Sequence, residues 1–378
     1  MKKLLFVFPV NGTKPKNWIP DRNFFSGLPF SIYNQLKNHY FIDTFTFDKR
    51  CSIAGDIYTA YTRHILKIST TIMASEALAK KASRLVEKKI KKDKYDCVVL
   101  FGVDVVSAIA YLDVDIPVIF LTDSICSTIF NYYWFFDEKV EKRLDKLWKK
   151  ALYNSTKIIL PSDWAVQTAL NDYHISPSKI ELIHFGANVE VDDFKPIKHE
   201  GINLLFVGIN GKRKGVDIAI ECVKKLNQLD SKTHYQLNIV GCNPDCDDPA
   251  IHVHGFINRE TKEGRDKLDY LRAISDFFIM PTRAEAAGLV FCEANAYKLP
   301  SLSYRTGGVP DYVLDGENGI LLENSCNGED FAKSVLELLS EESRLEEMKQ
   351  KAYELYCEEY NWEKFGYSFC KVIEEVTN

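Results

Sequence analysis

The sequence predicts an α/β protein of two doubly wound domains facing a central cleft, and three observations carry that prediction. Short, continuously apolar runs alternate with helical stretches along most of the chain, the pattern of parallel sheets covered on both faces. The series begins twice, at Leu4 and at Asn203, on either side of the polar segment 195–201 with its Pro and Gly. A length of 378 residues exceeds one ordinary core and suits two domains. The boundaries drawn from this are 1–195, 196–360, and a terminal helix over 361–378 that packs back on the first domain.

In the first series, 4–10 is wholly apolar and reads as a buried strand. A signal peptide would need a small-residue cleavage site, and Asn11, Lys14 and Lys16 follow instead. Pro29 opens a helix over 29–37, and a long charged helix covers 75–92. A strand at 97–101, a short helix at 107–111 and a strand at 117–121 come next. An amphipathic helix at 138–154 and strands at 157–161 and 180–184 complete the half. The second series has strands at 203–207, 236–240, 251–254, 277–280, 301–304 and 319–322. Its helices are expected at 216–229, 261–273 and 293–297, followed by one acidic helix at 329–354 and a last helix from Asn361 to about Val376.

Composition excludes several classes. The apolar runs fall far short of the ~20 residues of a membrane span. The ten cysteines are scattered, many inside apolar runs, which points to a reducing compartment and a cytoplasmic setting. Cys242 and Cys246, with His252 and His254 nearby, lack zinc-knuckle spacing. Asp113 and Asp115 precede a strand, the wrong end for a metal site, and no metal is expected. The net charge of −5 hides an asymmetry: residues 1–195 sum to +5 and the remainder to −10. The densest basic run is 80–94, with Lys88, Lys89, Lys91 and Lys92 around Ile90. It is a solvated helix end or a peripheral contact with an anionic membrane surface. No zinc finger, RNA-binding aromatic motif or arginine-rich arm points to nucleic acid.

The chemistry is concentrated between Phe277 and Leu322. An apolar strand ends in Pro281-Thr282-Arg283, Glu285 and Glu293 flank Gly288 and Leu289, and a second strand ends at Thr306-Gly307-Gly308. Two strand ends that each meet a helix start can offer carboxylates and backbone N–H groups to one ligand, a design suited to a sugar bearing phosphate. The plainer reading of the glutamates is one helix-start carboxylate and one surface carboxylate. Arg213 and Lys214, before Gly215, are a solvated pair or a phosphate grip.

These residues resemble the retaining glycosyltransferases of the GT-B fold, family 4, which pair two Rossmann-like domains. Carrying the resemblance are Ser162-Asp163-Trp164, 179–188, Leu205-Phe206-Val207-Gly208, Lys212-Arg213-Lys214-Gly215, Ile239-Val240-Gly241, His254-Gly255-Phe256, 281–293, Gly307-Gly308-Val309-Pro310 and 315–319. It implies metal-independent transfer, with no cofactor, from a nucleoside-diphosphate-sugar donor to a glycan or lipid-linked acceptor. Residues 1–195 would be the acceptor side and 196–360 the donor side. Arg213 and Lys214 would hold the diphosphate, Glu285 the sugar hydroxyls and Glu293 the ribose. Gly208, Gly288, Leu289, Gly307 and Gly308 would line the donor, with Gly27 approaching its phosphate after Asn23-Phe24-Phe25-Ser26. Many relatives have an arginine after the glycine equivalent to Gly208; Ile209 stands here, so Arg213 takes that work. Many also carry a catalytic histidine after the strand at 117–121, where this chain has Asp123 as substitute, with helix capping as its rival role. His184 is a second candidate or a structural histidine. An epimerase, a phosphorylase or a non-catalytic glycan-binding subunit are the alternatives.

Overall fold

The computed structural model describes residues 1–10, 18–19, 27–48, 61, 74–133, 135–189, 191 and 194–378. They form two compact units, Met1–His184 with Gly366–Asn378, and Phe185–Phe365. The division thus falls at His184/Phe185, ahead of the polar segment at 195–201.

In the first unit, β1 (Lys3–Val10) leads to α1 (Leu28–Leu36), β2 (Phe41–Asp48), α2 (Glu76–Lys92) and β3 (Cys97–Phe101). Then come β4 (Val118–Leu121), α3 (Glu138–Asn154), β5 (Lys157–Leu160), α4 (Asp163–Asn171) and β6 (Ile180–Leu182). The strands are parallel, in the order β2-β1-β3-β4-β5-β6. Every residue of β3, β4 and β5 is buried, as central strands covered on both faces require. Trp148 of α3 packs on Phe120 of β4 with ring centroids 5.7 Å apart. Side-chain caps start α2, α3 and α4: Ser75, Asp137 and Ser162 each accept a first-turn N–H.

The second unit has β7 (Ile202–Val207), α5 (Val216–Leu229), β8 (Tyr235–Val240), β9 (Ile251–Gly255), α6 (Lys262–Ala273) and β10 (Phe277–Ile279). It continues with α7 (Leu289–Ala296), β11 (Ser301–Tyr304), β12 (Gly319–Leu322), α8 (Gly328–Ser340) and α9 (Glu342–Glu358). Its parallel order is β12-β11-β10-β7-β8-β9. This is the doubly wound order in which the third strand lies at one edge and the sixth at the other. Strand order reverses between β7 and β10, and in such sheets ligands bind beyond the carboxyl ends at that point. The last helix, α10 (Trp362–Thr377), starts in the second unit and from Gly366 onward belongs to the first. There Glu374 accepts from Lys2 and Tyr40, and Glu375 pairs with Lys157 at 2.9 Å.

Four elements correct the sequence reading. The edge strand β2 was not expected, because its Asp43, Thr44 and Thr46 break the apolar run. Helix α4 was likewise missed. Helix α7 begins at Leu289, four residues before the expected start, because Gly288 takes a left-handed φ of 69° and turns the chain into it. The acidic segment is two helices: Glu341, with φ −120° and ψ 73°, breaks the hydrogen-bond ladder between α8 and α9.

Candidate functional site

The site is built where β7 and β10 end. After β7 the chain passes Gly208 into a short helical turn, Gly211–Lys214, capped by Asn210, whose Oδ1 accepts the Arg213 N–H at 3.1 Å. The turn ends at Gly215, whose φ of 78° suits glycine. A Cβ there would lie 2.0 Å from the carbonyl oxygen of Pro281, so only glycine lets this turn touch the loop that follows β10. The Arg283 N–H donates to the Arg213 carbonyl at 2.8 Å, and the Arg283 guanidinium grips Asp217 with bonds of 2.9 and 2.7 Å.

That stitching brings side chains 71 residues apart into contact. Lys214 Nζ donates to Glu285 Oε2, and Arg213 Nη1 donates to the Ala284 carbonyl while standing 3.8 Å from the same carboxylate oxygen. Lys214 and Glu285 each keep only 12% of their side-chain surface exposed. Burial pulls the Lys214 ammonium below the ordinary lysine range; Glu285 opposes that shift and Arg213 adds to it. Ile209 by contrast is 75% exposed and contributes no charge.

Glu293, on the second turn of α7, is buried and held by two arginines. Arg259 Nη1 donates to its Oε1 at 2.8 Å and Arg259 Nη2 to its Oε2 at 3.1 Å. Arg272 Nη2 donates to Oε2 at 2.5 Å. The sequence reading missed both arginines. Arg272 carried a faint signal, since it falls on the buried stripe of α6 with Leu268 and Leu271. Arg259 lies in a polar loop and carried none. Gly307, at φ 52°, turns the chain after β11. The expectation that Gly308 offers a free N–H is corrected: that group donates to the Glu285 carbonyl at 3.1 Å and ties the two loops together.

So the fold gathers Gly208, Arg213, Lys214, Glu285 and Gly308 in one contact network, with Gly288 and Leu289 opening the helix that carries Glu293. Asp123 and Gly27 belong to the first unit. Asp123 follows β4 and accepts from Ser124 Oγ at 3.1 Å, and Gly27 precedes α1 at φ 81°. Residues 23–26 lie outside the described residues. His184 is half-buried at the end of the first unit. His254 and His252 pair with Asn238 and Gln236 across β8 and β9, at 2.9 and 3.2 Å. Asp113 and Asp115 precede β4 at its amino end. Among the described residues no group of three or more His, Cys, Asp or Glu is placed to hold a metal ion.

Residues 189–355 match the family model described as glycosyl transferases group 1. The chain is 28% identical to an uncharacterized glycosyltransferase, MJ1178, of Methanocaldococcus jannaschii, over 61% of this chain and 62% of that protein. It is 23% identical to D-inositol 3-phosphate glycosyltransferase of Corynebacterium aurimucosum, over 66% and 63%. The chain thus spans about six-tenths of the length of these curated relatives. In fold it is similar to sucrose-phosphate synthase from Thermosynechococcus elongatus, with a TM-score of 0.71 over 99% of both chains at 15% identity. Anabaena Alr3699/HepE in complex with UDP and glucose is similar at a TM-score of 0.68 and 14% identity, over 99% of this chain and 100% of that one. The two doubly wound sheets are therefore those of the GT-B fold, and residues 189–355 of the second unit are similar to the glycosyl transferases group 1 family.

Proposed function

We propose that this protein is a metal-independent, retaining glycosyltransferase that moves a sugar from a nucleoside diphosphate to a glycan or lipid-linked acceptor. The observation that carries the reading is the convergence of Lys214 and Arg213 on Glu285 at the reversal of strand order. Two cations beside a buried carboxylate at that point suit a ligand that carries both phosphate and hydroxyl groups. The cations take the diphosphate and stabilise the charge that grows on it as the sugar leaves. Glu285 takes sugar hydroxyls and Glu293 the ribose, each through charge-assisted hydrogen bonds worth roughly 1.5–3 kcal/mol. Gly208, Gly288, Leu289, Gly307 and Gly308 shape the donor subsite of the second unit, and Asp123 and Gly27 are the groups of the first unit that mutagenesis should test for a part in the reaction.

Glu285 and Glu293 belong to one strand–turn–helix segment and would meet the donor from one side. Glycosidases instead place their two carboxyl groups across the scissile bond. The mechanism is accordingly front-face displacement without a covalent sugar on either glutamate: the leaving phosphate accepts the acceptor's proton as the new bond forms. Catalysis then rests on positioning and phosphate stabilisation. The acceptor is presented at an anionic membrane surface, which the basic outer helices α2 and α3 favour.

The test is a panel of nucleoside-diphosphate sugars read by thermal shift and by donor hydrolysis, repeated with Arg213→Ala and Glu285→Ala. Donor affinity and turnover should fall together in the arginine variant. Unchanged kinetics there would remove the phosphate role. Donor turnover without acceptor, or dependence on inorganic phosphate, would favour an epimerase or phosphorylase. Nucleotide binding without turnover across a broad acceptor panel would favour a glycan-binding subunit.

A further inference from the structure

We infer that Arg259 is a latch on Glu293, a positioning residue that must release that carboxylate before a ribose can take it. The inference rests on the ribose role proposed above for Glu293 and adds the group that controls it. A carboxylate accepts about four hydrogen bonds, two on each oxygen. Glu293 Oε2 already accepts from Arg259 Nη2 and Arg272 Nη2, and Oε1 accepts from Arg259 Nη1. One acceptor site is left, on Oε1. A ribose diol presents two adjacent O–H donors, so one arginine must let go for both to be received.

Arg272 is held in place. Its side chain is 5% exposed, it also donates to Asp269 Oδ1 at 3.1 Å, and its guanidinium lies 5.3 Å from the Tyr297 ring. Tyr297 donates to the same Asp269 oxygen at 2.7 Å, closing that network. Arg259 is different: its side chain is 29% exposed, and Glu293 is the carboxylate it pairs with among the described residues. Its backbone, however, is pinned. Arg265 Nη1 donates to the Arg259 carbonyl at 3.0 Å, and a Cβ at Gly264 would lie 1.9 Å from the Asn258 carbonyl oxygen, so loop and helix are in close contact. The side chain can therefore swing while the loop stays.

Release strands no charge. Glu293 keeps Arg272, and the freed Arg259 guanidinium moves toward water. The apparent Kd of a ligand that needs the released state is raised by the inverse of that state's population. Removing the latch should then tighten ribonucleotide binding about fivefold if the released state is roughly one-fifth populated. A ligand without the diol gains nothing from the release, so the latch reads out as selectivity rather than as affinity alone.

The experiment measures Kd for the ribonucleoside diphosphates of adenosine, guanosine, cytidine and uridine, and for the 2′,3′-dideoxy counterpart of the tightest binder. Wild type, Arg259→Ala, Arg259→Lys and Glu293→Gln are compared, with thermal melting to confirm that each folds. The preference for the ribo form should rise about fivefold in Arg259→Ala. It should rise less in Arg259→Lys, because lysine keeps the charge and loses the bidentate grip. A preference that is unchanged or lower in Arg259→Ala overturns the latch. A change shared by both nucleotides also overturns it, since that marks Arg259 as a general attractor of phosphate. A wild-type protein that binds ribo and dideoxy forms equally, with Glu293→Gln no different, overturns the ribose role itself. Failure of all four nucleotides to bind removes both readings.

Discussion

The carboxyl edges of the two sheets are built on opposite plans. In the second unit, strand ends are stitched by charged groups: Lys214 and Arg213 on Glu285, Arg283 on Asp217, Arg259 and Arg272 on Glu293. In the first unit, the loop after β4 carries Asp123 beside Ser124, and aromatic residues gather beyond it, with Tyr132 and Trp164 rings 5.4 Å apart. The densest groups of cations in that unit lie on α2 and α3 instead. On the proposed function, the contrast means that fixed charged groups in the second unit recognise a small anionic ligand. The first unit keeps a less charged edge and a basic exterior, suited to a larger and more variable partner.

The largest effect should come from Lys214. On the proposed function, replacing it with alanine removes one of the two cations that take the diphosphate, together with the Lys214 hydrogen bond to Glu285. A loss of about 10²–10³ in kcat/KM is expected, as for removal of one stabilising donor in a preorganised site. Steady-state kinetics with a saturating acceptor measure it, and a loss below tenfold would break the contrast between the units. Lys214 also sets a pH dependence. Its charged form would attract phosphate, and burial lowers its pKa from the ordinary lysine value, so donor affinity is lost as pH rises through that lowered pKa. The alkaline limb should therefore fall below the range of an ordinary lysine, and Lys214→Arg should move it upward.

Second in size is Gly215. Its φ of 78° disfavours a side chain, and a Cβ would sit 2.0 Å from the Pro281 carbonyl oxygen. Gly215→Ala should cost about 2–4 kcal/mol through strain and backbone displacement, read as the shift in a denaturant midpoint. Gly316 has a similar φ, 79°, with nothing within 4 Å of its built Cβ. Gly316→Ala should cost markedly less. Equal losses at the two positions would show that close approach at Gly215 matters little.

These residues also mark how far the sequence could be read. Contiguous patterns were legible: the fully apolar β3 and β4, the Gly215 turn, and the segment from Pro281 through Glu293. Their signal is local, either a run of one residue type or a glycine beside a charge. Pairings across the sheet were not legible. Arg259 and Arg272 reach Glu293 from 34 and 21 residues away, and no periodicity predicts which arginine turns inward. The Gly308 N–H could be placed at a strand end, but its hydrogen bond to the Glu285 carbonyl depends on two loops meeting. Strand β2 was hidden because an edge strand tolerates the polar residues that elsewhere signal a loop.

A smaller effect tests the first unit's edge. Asp123→Asn keeps the size and the acceptor oxygen next to Ser124 while removing the charge. If Asp123 serves the reaction, kcat should fall about tenfold with melting temperature unchanged, in the range of one general acid–base or electrostatic contribution. A melting shift without a kinetic change would assign it to local capping, and the second unit would then hold all the charged groups of the reaction.

The smallest effect on turnover, and the sharpest on location, concerns the basic helices. Glu76–Lys92 carries seven Lys and Arg against two Glu, and Glu138–Asn154 carries six against three acidic residues. These two helices hold +8 in a chain of net charge −5. They meet through the helical turn Val106–Ile109: Ser83 Oγ donates to the Ala108 carbonyl at 2.8 Å and Asn154 Nδ2 to the Ile109 carbonyl at 3.1 Å. The Tyr111 ring is shared by Lys80 at 5.2 Å and Lys150 at 4.1 Å, which links the two basic helices. Among the described residues no carboxylate lies within 4.0 Å of Lys88, Lys91, Lys146 or Lys149, so their charge is available to a partner. Each basic residue near an anionic bilayer contributes about 1 kcal/mol, screened over a Debye length. Changing these four lysines to glutamine should abolish sedimentation with anionic vesicles at low salt and leave transfer to a soluble acceptor within about twofold. Wild-type sedimentation that resists high salt, or that is equal on zwitterionic vesicles, would mean that the basic face is ordinary solvated surface and that acceptors reach the first unit from solution.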